Sequence, residues 1–170
     1  ETKIIHQDTI EKILPVVATN CFVPLTFGGG IKTIGEIRTR LVLGADKVTL
    51  NTGAVAAPNL ITTAAETFGS QCIVICIDAY RHLNGTYEVY IDGGKTPTGL
   101  DVLTWAREVE RLGAGEILLQ SISQDGSAAG YDCVLIKKVV EAVSIPVIAL
   151  GGAGAYSDFI KVVQETGVMA

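Results

Sequence analysis

The run Cys72-Ile-Val-Ile-Cys-Ile77, closed by Asp78, constrains the fold more than any other stretch of this sequence. It is apolar without a break, so it reads as a strand buried on both faces, the condition of a strand inside a parallel sheet. Parallel strands need long crossover connections, usually helices. The rest of the chain supplies them. Residues 8–20 read as a helix with Ile10, Ile13, Leu14 and Val17 on one stripe, Asp8 as its N-cap and Pro15 as a blemish. A strand over 21–26 follows, then a helix from the Thr33 cap to about Leu43, stopped by Gly44 and carrying an i,i+4 pair, Glu36 and Arg40. Next come a strand at 47–50, a helix near 57–68 with Pro58 in its first turn, and the central strand at 71–77.

Residues 79–98 break that rhythm. Asn84-Gly85 is a hairpin signal, and 86–91 alternates like an exposed ribbon. The alternation then resumes: a helix from the Asp101 cap to Arg111 with Gly113 after it, a strand at 116–120, a helix at 131–143, a strand at 146–150, a helix at 156–166 and the start of a strand at 167–170. About six strands separated by helices imply an α/β protein with right-handed crossovers. Asn51, Asp78, Ser121 and Gly151 all stand at or just beyond strand C-terminal ends. That favours a (β/α)8 TIM barrel, incomplete, with about six of eight units present. An open doubly wound sheet is the alternative, but it would concentrate chemistry at one switch point. The expected organisation is one partial barrel domain over 1–170, with a hairpin insertion near 80–98.

Composition agrees. With 170 residues and 48% hydrophobic residues, the chain can bury a sizeable core. Charged residues are only 18% and glycines number 19, which suits buried strands and tight turns. A net charge of −5 argues against a nucleic-acid partner. No apolar run approaches the ~20 residues of a membrane span. The polar start, Glu1-Thr2-Lys3, does not read as a signal peptide. Cys21, Cys72, Cys76 and Cys133 form no C-x-x-C pair. Cys72 and Cys76 are expected on one strand face as buried free thiols, which fits a cytoplasmic protein. His6 and His82 do not complete a zinc set, so no metal is expected, and no cofactor.

A strand, a glycine turn and a helix recur 122 positions apart. Val23-Pro24-Leu25 with Gly29-Gly30 is matched by Ile145-Pro146-Val147 with Gly151-Gly152. Glu36 falls on Asp158, Ile37 on Phe159 and Leu41 on Val163. A duplicated half-barrel explains this; chance similarity of short apolar patterns is the alternative. Glycine lets the backbone approach a ligand, and N–H groups at a turn or helix start bind phosphate oxygens. Two such turns on opposite sides of a barrel mouth would suit a substrate with a phosphate at each end. Tight turning alone is the competing reading. Asn51-Thr52 offers an amide and a hydroxyl to phosphate, or is a plain helix cap. Asp125-Gly126 belongs to a ligand loop or a simple turn. Asp78, at the rim end of the most apolar strand, is the candidate acid or base, or else a loop cap. Asp125 is a candidate second proton-transfer group. Lys47 and Glu116 lie near strand N-terminal ends and read as a stabilising salt bridge.

The runs VPLTFGGGIKTI, GADKVTLNT, FGSQCIVICIDA, TGLD, RLGAGEILLQS, DGSAAGYD and IPVIALGGAG resemble the cyclase subunits of imidazole glycerol phosphate synthase. The resemblance extends over essentially the whole chain. The FGSQ strand and the ribbon after it follow the cyclase pattern, not that of the related isomerase. It implies a (β/α)8 barrel of histidine biosynthesis, a lyase. Such an enzyme takes ammonia from a glutamine amidotransferase (HisH-like) and acts on a bisphosphorylated ribulosyl formimino nucleotide. Its products are imidazole glycerol phosphate and aminoimidazole carboxamide ribonucleotide. It implies that Asp78 is one of two catalytic aspartates. Gly30, Asn51 and Thr52 match one phosphate site. Asp125, Gly126, Gly151 and Gly152 match the other side of the cleft. Lys47 and Glu116 match the ammonia entrance, and Asp46 and Gln71 the amidotransferase face. The sequence departs from the pattern at Tyr80 (usually Lys), Gln120 (usually Thr), Gln124 (usually Arg) and Leu150 (usually small). By this resemblance the chain begins after the second family strand and stops inside the last. Two further expectations follow: a fragment, inactive alone, that self-associates through open barrel edges, or a paralogue acting in surface-sugar amidination.

Overall fold

A computed structural model describes residues 7–168. Along the chain it contains α1 (Gln7–Asn20), β1 (Thr26–Gly28), α2 (Ile34–Val42), β2 (Lys47–Leu50), α3 (Thr52–Ala56), α4 (Asn59–Phe68) and β3 (Ile73–Arg81). These are followed by β4 (Tyr87–Ile91), β5 (Thr96–Asp101), α5 (Val102–Arg111), β6 (Glu116–Ser121), α6 (Cys133–Ala142), β7 (Val147–Leu150) and α7 (Tyr156–Thr166). Strands β1, β2, β3, β6 and β7 pair in that order, all parallel. This is the strand order of an incomplete (β/α)8 barrel. The expectation for Asp8 concerns a side chain outside the described residues, as does the strand end at 169–170.

Register separates two faces. Ile73, Ile75 and Ile77 of β3, with Val48 and Leu50 of β2 and Ile117 and Leu119 of β6, are fully buried. They pack under the helices against Ile37, Ile61, Val109, Leu135 and Val139. Period-two alternation turns Val74, Cys76 and Asp78 to the opposite, inner face. Their register partners on β6 are Glu116, Leu118 and Gln120. The outer face is therefore wholly apolar, and the inner face mixes Val74, Cys76 and Leu118 with Asp78, Glu116 and Gln120; the run at 72–77 stays unbroken because its inner-face members, Val74 and Cys76, are apolar too.

Strand β3 is longer than the sequence suggests because it has two successive neighbours on one edge. Its lower half, Ile73–Ile75, pairs with β2. Its upper half, Asp78–Arg81, pairs antiparallel with β4, which pairs antiparallel with β5. The hairpin is anchored at Tyr87, whose buried hydroxyl donates to Asp132, 3.0 Å from Oδ2. The strand expected at 21–26 is shifted to Thr26–Gly28. Pro24 has no N–H to give a ladder, and Phe22 and Val23 are exposed. The Leu25 N–H goes instead to the Asp46 carboxylate, 2.8 Å away. The helix expected near 57–68 is preceded by a separate short one, α3, with Pro58 between them.

Glu36 and Arg40 do not form the expected side-chain pair. The Glu36 carboxylate turns back to accept the N–H groups of Lys32 (2.8 Å) and Thr33 (3.0 Å), while Thr33 Oγ1 accepts the Glu36 N–H. This is a capping box. The backbone donors hold the Glu36 carboxyl below its ordinary value. Thr33→Ala should lower stability by about 1 kcal/mol, read from denaturant melts; an unchanged midpoint would show that the box contributes nothing. The four cysteines are free, but each is only partly buried, so the expectation of sealed thiols is corrected. Cys72 lies in a 3-10 turn (Ser70–Cys72), not in the strand.

The repeat has a structural counterpart. Helices α2 and α7 begin 122 residues apart. Asp158 accepts from the N–H groups of Gly154 and Ala155, both at 2.9 Å, as Glu36 does from the two equivalent positions. Both glycine turns adopt positive φ: 109° and 67° at Gly29 and Gly30, 97° and 103° at Gly151 and Gly152.

Candidate functional site

At the C-terminal ends of β1, β2 and β3 lies an open cleft of about 580 Å³. Gly29 and Gly30 form one wall, Asn51 and Thr52 another, and Cys76, Asp78 and Gln120 the floor. The hairpin turn leans over it: Asp92 and Gly93 line the cleft, and the Asp92 N–H donates to Thr52 Oγ1 at 3.0 Å. No Cβ built at Gly29 or Gly30 would meet any atom within 4 Å, so these backbones face open space. Gly53 serves differently. A Cβ there would stand 2.3 Å from the Ile31 carbonyl oxygen, so its absence lets the start of α3 sit against the glycine turn.

Asp78 is 5% exposed. Burial pushes its carboxyl above the ordinary range, and the Asp125 charge pushes the same way. Hydrogen bonds from Cys76 and Asn51 oppose this without cancelling it. The Cys76 thiol donates to Asp78 Oδ1 at 3.2 Å. Burial, together with the neighbouring Asp78 charge, drives the thiol far above its usual range, so it remains a thiol. Asp78 is thus a carboxyl with raised proton affinity, fixed by donors and opening into a cleft. Such a group suits general acid–base work.

Gln120 is the register partner of Asp78 on one side and of Leu150 on the other. Its Nε2 donates to Asp125 Oδ2 at 3.0 Å, which draws the 121–130 loop toward the floor of the cleft. Gly30, Asn51, Thr52 and Asp78 are thereby brought together, and Asp125 joins through Gln120. Gly126, Gly151 and Gly152 stand outside this lining. Gly151 and Gly152 are buried beneath the same loop, and the Gly152 carbonyl accepts the Gly130 N–H at 2.8 Å.

Lys47 and Glu116, at the N-terminal ends of β2 and β6, form an ion pair across β3 on the inner face. Asp46 and Gln71 are exposed at the same end. Asp46 is also committed to Leu25, and the Gln71 side chain lies where a Cβ on Gly69 would be. Sequence reasoning missed Lys32, Thr49, Cys76, Asp92 and Gly93 as cleft residues. For Cys76 a signal existed: two positions before Asp78 in a strand, it must share that residue's face. No metal-ligand cluster occurs among the described residues. No helix among them is long and apolar enough to cross a membrane.

Residues 3–170 match the family described as histidine biosynthesis protein. Among curated proteins, the imidazole glycerol phosphate synthase subunit HisF of Halalkalibacterium halodurans is 53% identical over 156 residues. That alignment takes in 91% of this chain and 60% of that protein, so the chain spans about 60% of the length of the curated relative.

Proposed function

This chain belongs to the histidine biosynthesis protein family, and we propose that it carries the acid–base and first phosphate site of an imidazole glycerol phosphate synthase cyclase. The observation that carries the reading is Asp78: a buried carboxyl of raised proton affinity, facing the one cleft that Gly30, Asn51 and Thr52 also line. A bisphosphorylated ribulosyl formimino substrate would place one phosphate against the glycine turn and the Asn51-Thr52 corner. Backbone N–H groups, an amide and a hydroxyl supply donors there without any metal-ligand set. The other phosphate would lie toward Asp125, Gly126, Gly151 and Gly152, the pseudo-symmetric turn. Adding ammonia to the ketose, closing the imidazole ring and releasing the carboxamide ribonucleotide each need protons moved at neighbouring atoms. Asp78 is the group positioned for this.

Ammonia would enter from the opposite end of the barrel, past the Lys47–Glu116 pair. A glutamine amidotransferase would dock over Asp46 and Gln71. The setting is cytoplasmic, and the reading calls for one partial barrel domain with the β4–β5 hairpin inserted. The complete barrel should turn over the bisphosphorylated nucleotide with ammonium salts alone; failure to release either product would refute the reading. A second reading is favoured by Gln120, which fills the row between Asp78 and Leu150 with an amide tied to Asp125. Under it the protein is a cyclase-like paralogue acting on a surface-sugar substrate. Binding of the histidine-pathway nucleotide without turnover would favour that alternative. Self-association through the β1 and β7 edges is expected of the 170-residue chain alone, because unpaired edge strands invite pairing.

A further inference from the structure

We infer that Cys76 is a positioning residue for the candidate acid–base carboxyl, holding Asp78 Oδ1 in place by a thiol hydrogen bond from one pleat below it on β3. This rests on the reading of Asp78 as the acid or base, and deepens it. The geometry is direct. Residues two apart on a strand share a face, both side chains line the cleft, and Sγ stands 3.2 Å from Oδ1. Asn51, across from them at the end of β2, is within hydrogen-bonding reach of both groups. Cys76 and Asp78 on β3 and Asn51 just beyond β2 therefore form one polar knot.

A thiol is a weak donor, yet it suits this place. It is small enough for the inner face beside Leu118, its register partner. Because its own ionisation is driven up by burial and by Asp78, it does not compete for the charge and stays a donor across the working pH range. Its hydrogen bond favours the ionised carboxylate, opposing the burial that favours the acid. The other charged or titratable groups around Asp78 are Asp125 beyond β6, Tyr90 opposite it on β4, Tyr80 two residues along β3 and against Tyr90, Lys32 on the glycine turn and Asp92 on the hairpin turn. The Lys47–Glu116 pair lies lower on the inner face, compensated within itself. The hydrogen bonds to the Asp78 carboxylate come from Cys76 and Asn51, not from these groups.

The test is made in the complete enzyme with Cys76→Ala, Cys76→Ser and Asp78→Asn. Removing the donor should move the limb of the kcat/KM–pH profile that belongs to Asp78 to higher pH. It should also lower kcat by roughly two- to tenfold, the rate equivalent of one net hydrogen bond. Cys76→Ser keeps a donor and should return the limb to or below its wild-type position. A purely packing role would lower the melting temperature of Cys76→Ala without moving the limb. Infrared spectroscopy supplies a second reading independent of turnover. The S–H stretch that vanishes in Cys76→Ala should shift upward in Asp78→Asn, where the acceptor loses its charge. Superimposable pH profiles for wild type and Cys76→Ala, a serine variant that shifts with the alanine, or an S–H band indifferent to Asp78→Asn would each overturn the inference. Loss of turnover in Asp78→Asn with any of those results removes only the role of Cys76. Normal turnover in Asp78→Asn removes the underlying reading as well.

Discussion

Asp78→Asn in the complete barrel is expected to lower kcat by roughly 10²–10⁴-fold, the usual worth of a positioned acid or base, with little change in substrate affinity. Asparagine has the same shape and still accepts from Cys76 and Asn51, so the cleft should keep its form. What it cannot do is take up or release a proton at working pH. Gly30, Asn51 and Thr52, the proposed phosphate donors, line the same cleft and are untouched by the change. Steady-state kinetics with ammonium salts check this through the split between kcat and KM. A kcat within a factor of two of wild type would remove Asp78 from the chemistry.

The same substitution should stabilise the fold near neutral pH, because Asp78 is a buried carboxyl. Burial raises the Asp78 carboxyl above its unfolded value, so the folded chain holds that proton more tightly than the unfolded chain does. Stability from this group is present below the ordinary aspartate range, near ~3.9. It is lost as pH rises through the higher folded value. Near neutral pH the wild type bears the cost of a buried charge, and Asp78→Asn does not. Denaturant melts across pH should show the variant above wild type at neutrality, with the gap closing as pH falls toward the unfolded value. A wild type that is the more stable protein at neutral pH would mean that its donors outweigh burial.

The parallel sheet was legible from the unbroken run at 72–77, and Asp78 from its place at the end of that run. Helices α2 and α5 were legible because their caps, Thr33 and Asp101, are written locally. Part of what local sequence did not reveal came from long-range pairing. Strand β3 runs on to Arg81 only because β4 takes over the edge where β2 ends. Glu36 abandons Arg40 because its carboxylate is taken by two backbone N–H groups at the helix start, while the buried Arg40 guanidinium turns to the Glu36 carbonyl. Cys76 looked like core because its neighbours are core; the pleat places it on the other face. The hairpin turn at Asp92 reaches the cleft through a contact with Thr52, forty positions away in the chain.

The two glycine turns look equivalent in sequence, yet alanine should separate them by a large margin. At Gly152 a Cβ would stand 2.1 Å from the Gly130 carbonyl oxygen and 3.0 Å from the Gln124 Cβ, at φ +103°. The backbone strain alone costs about 1–3 kcal/mol, and the clash is with main chain, which cannot swing aside. Relief requires lifting the 121–130 loop, with loss of the Gly130–Gly152 hydrogen bond and displacement of Asp125. Gly152→Ala should therefore destabilise the protein by at least about 3 kcal/mol. At Gly30, φ is +67° and no atom lies within 4 Å of the added carbon. Gly30→Ala should cost only roughly 1–2 kcal/mol of left-handed strain, but its methyl projects into the open space where the proposed phosphate would approach the backbone. Losing one charge-assisted contact there should raise KM by roughly tenfold or more. Melting curves and phosphate affinity by calorimetry on both variants decide the matter. If Gly30→Ala proves as unstable as Gly152→Ala and binds phosphate normally, the first turn is packing, and the proposed cleft has lost its anion cradle. If Gly152→Ala melts with wild type, the second turn is as open as the first.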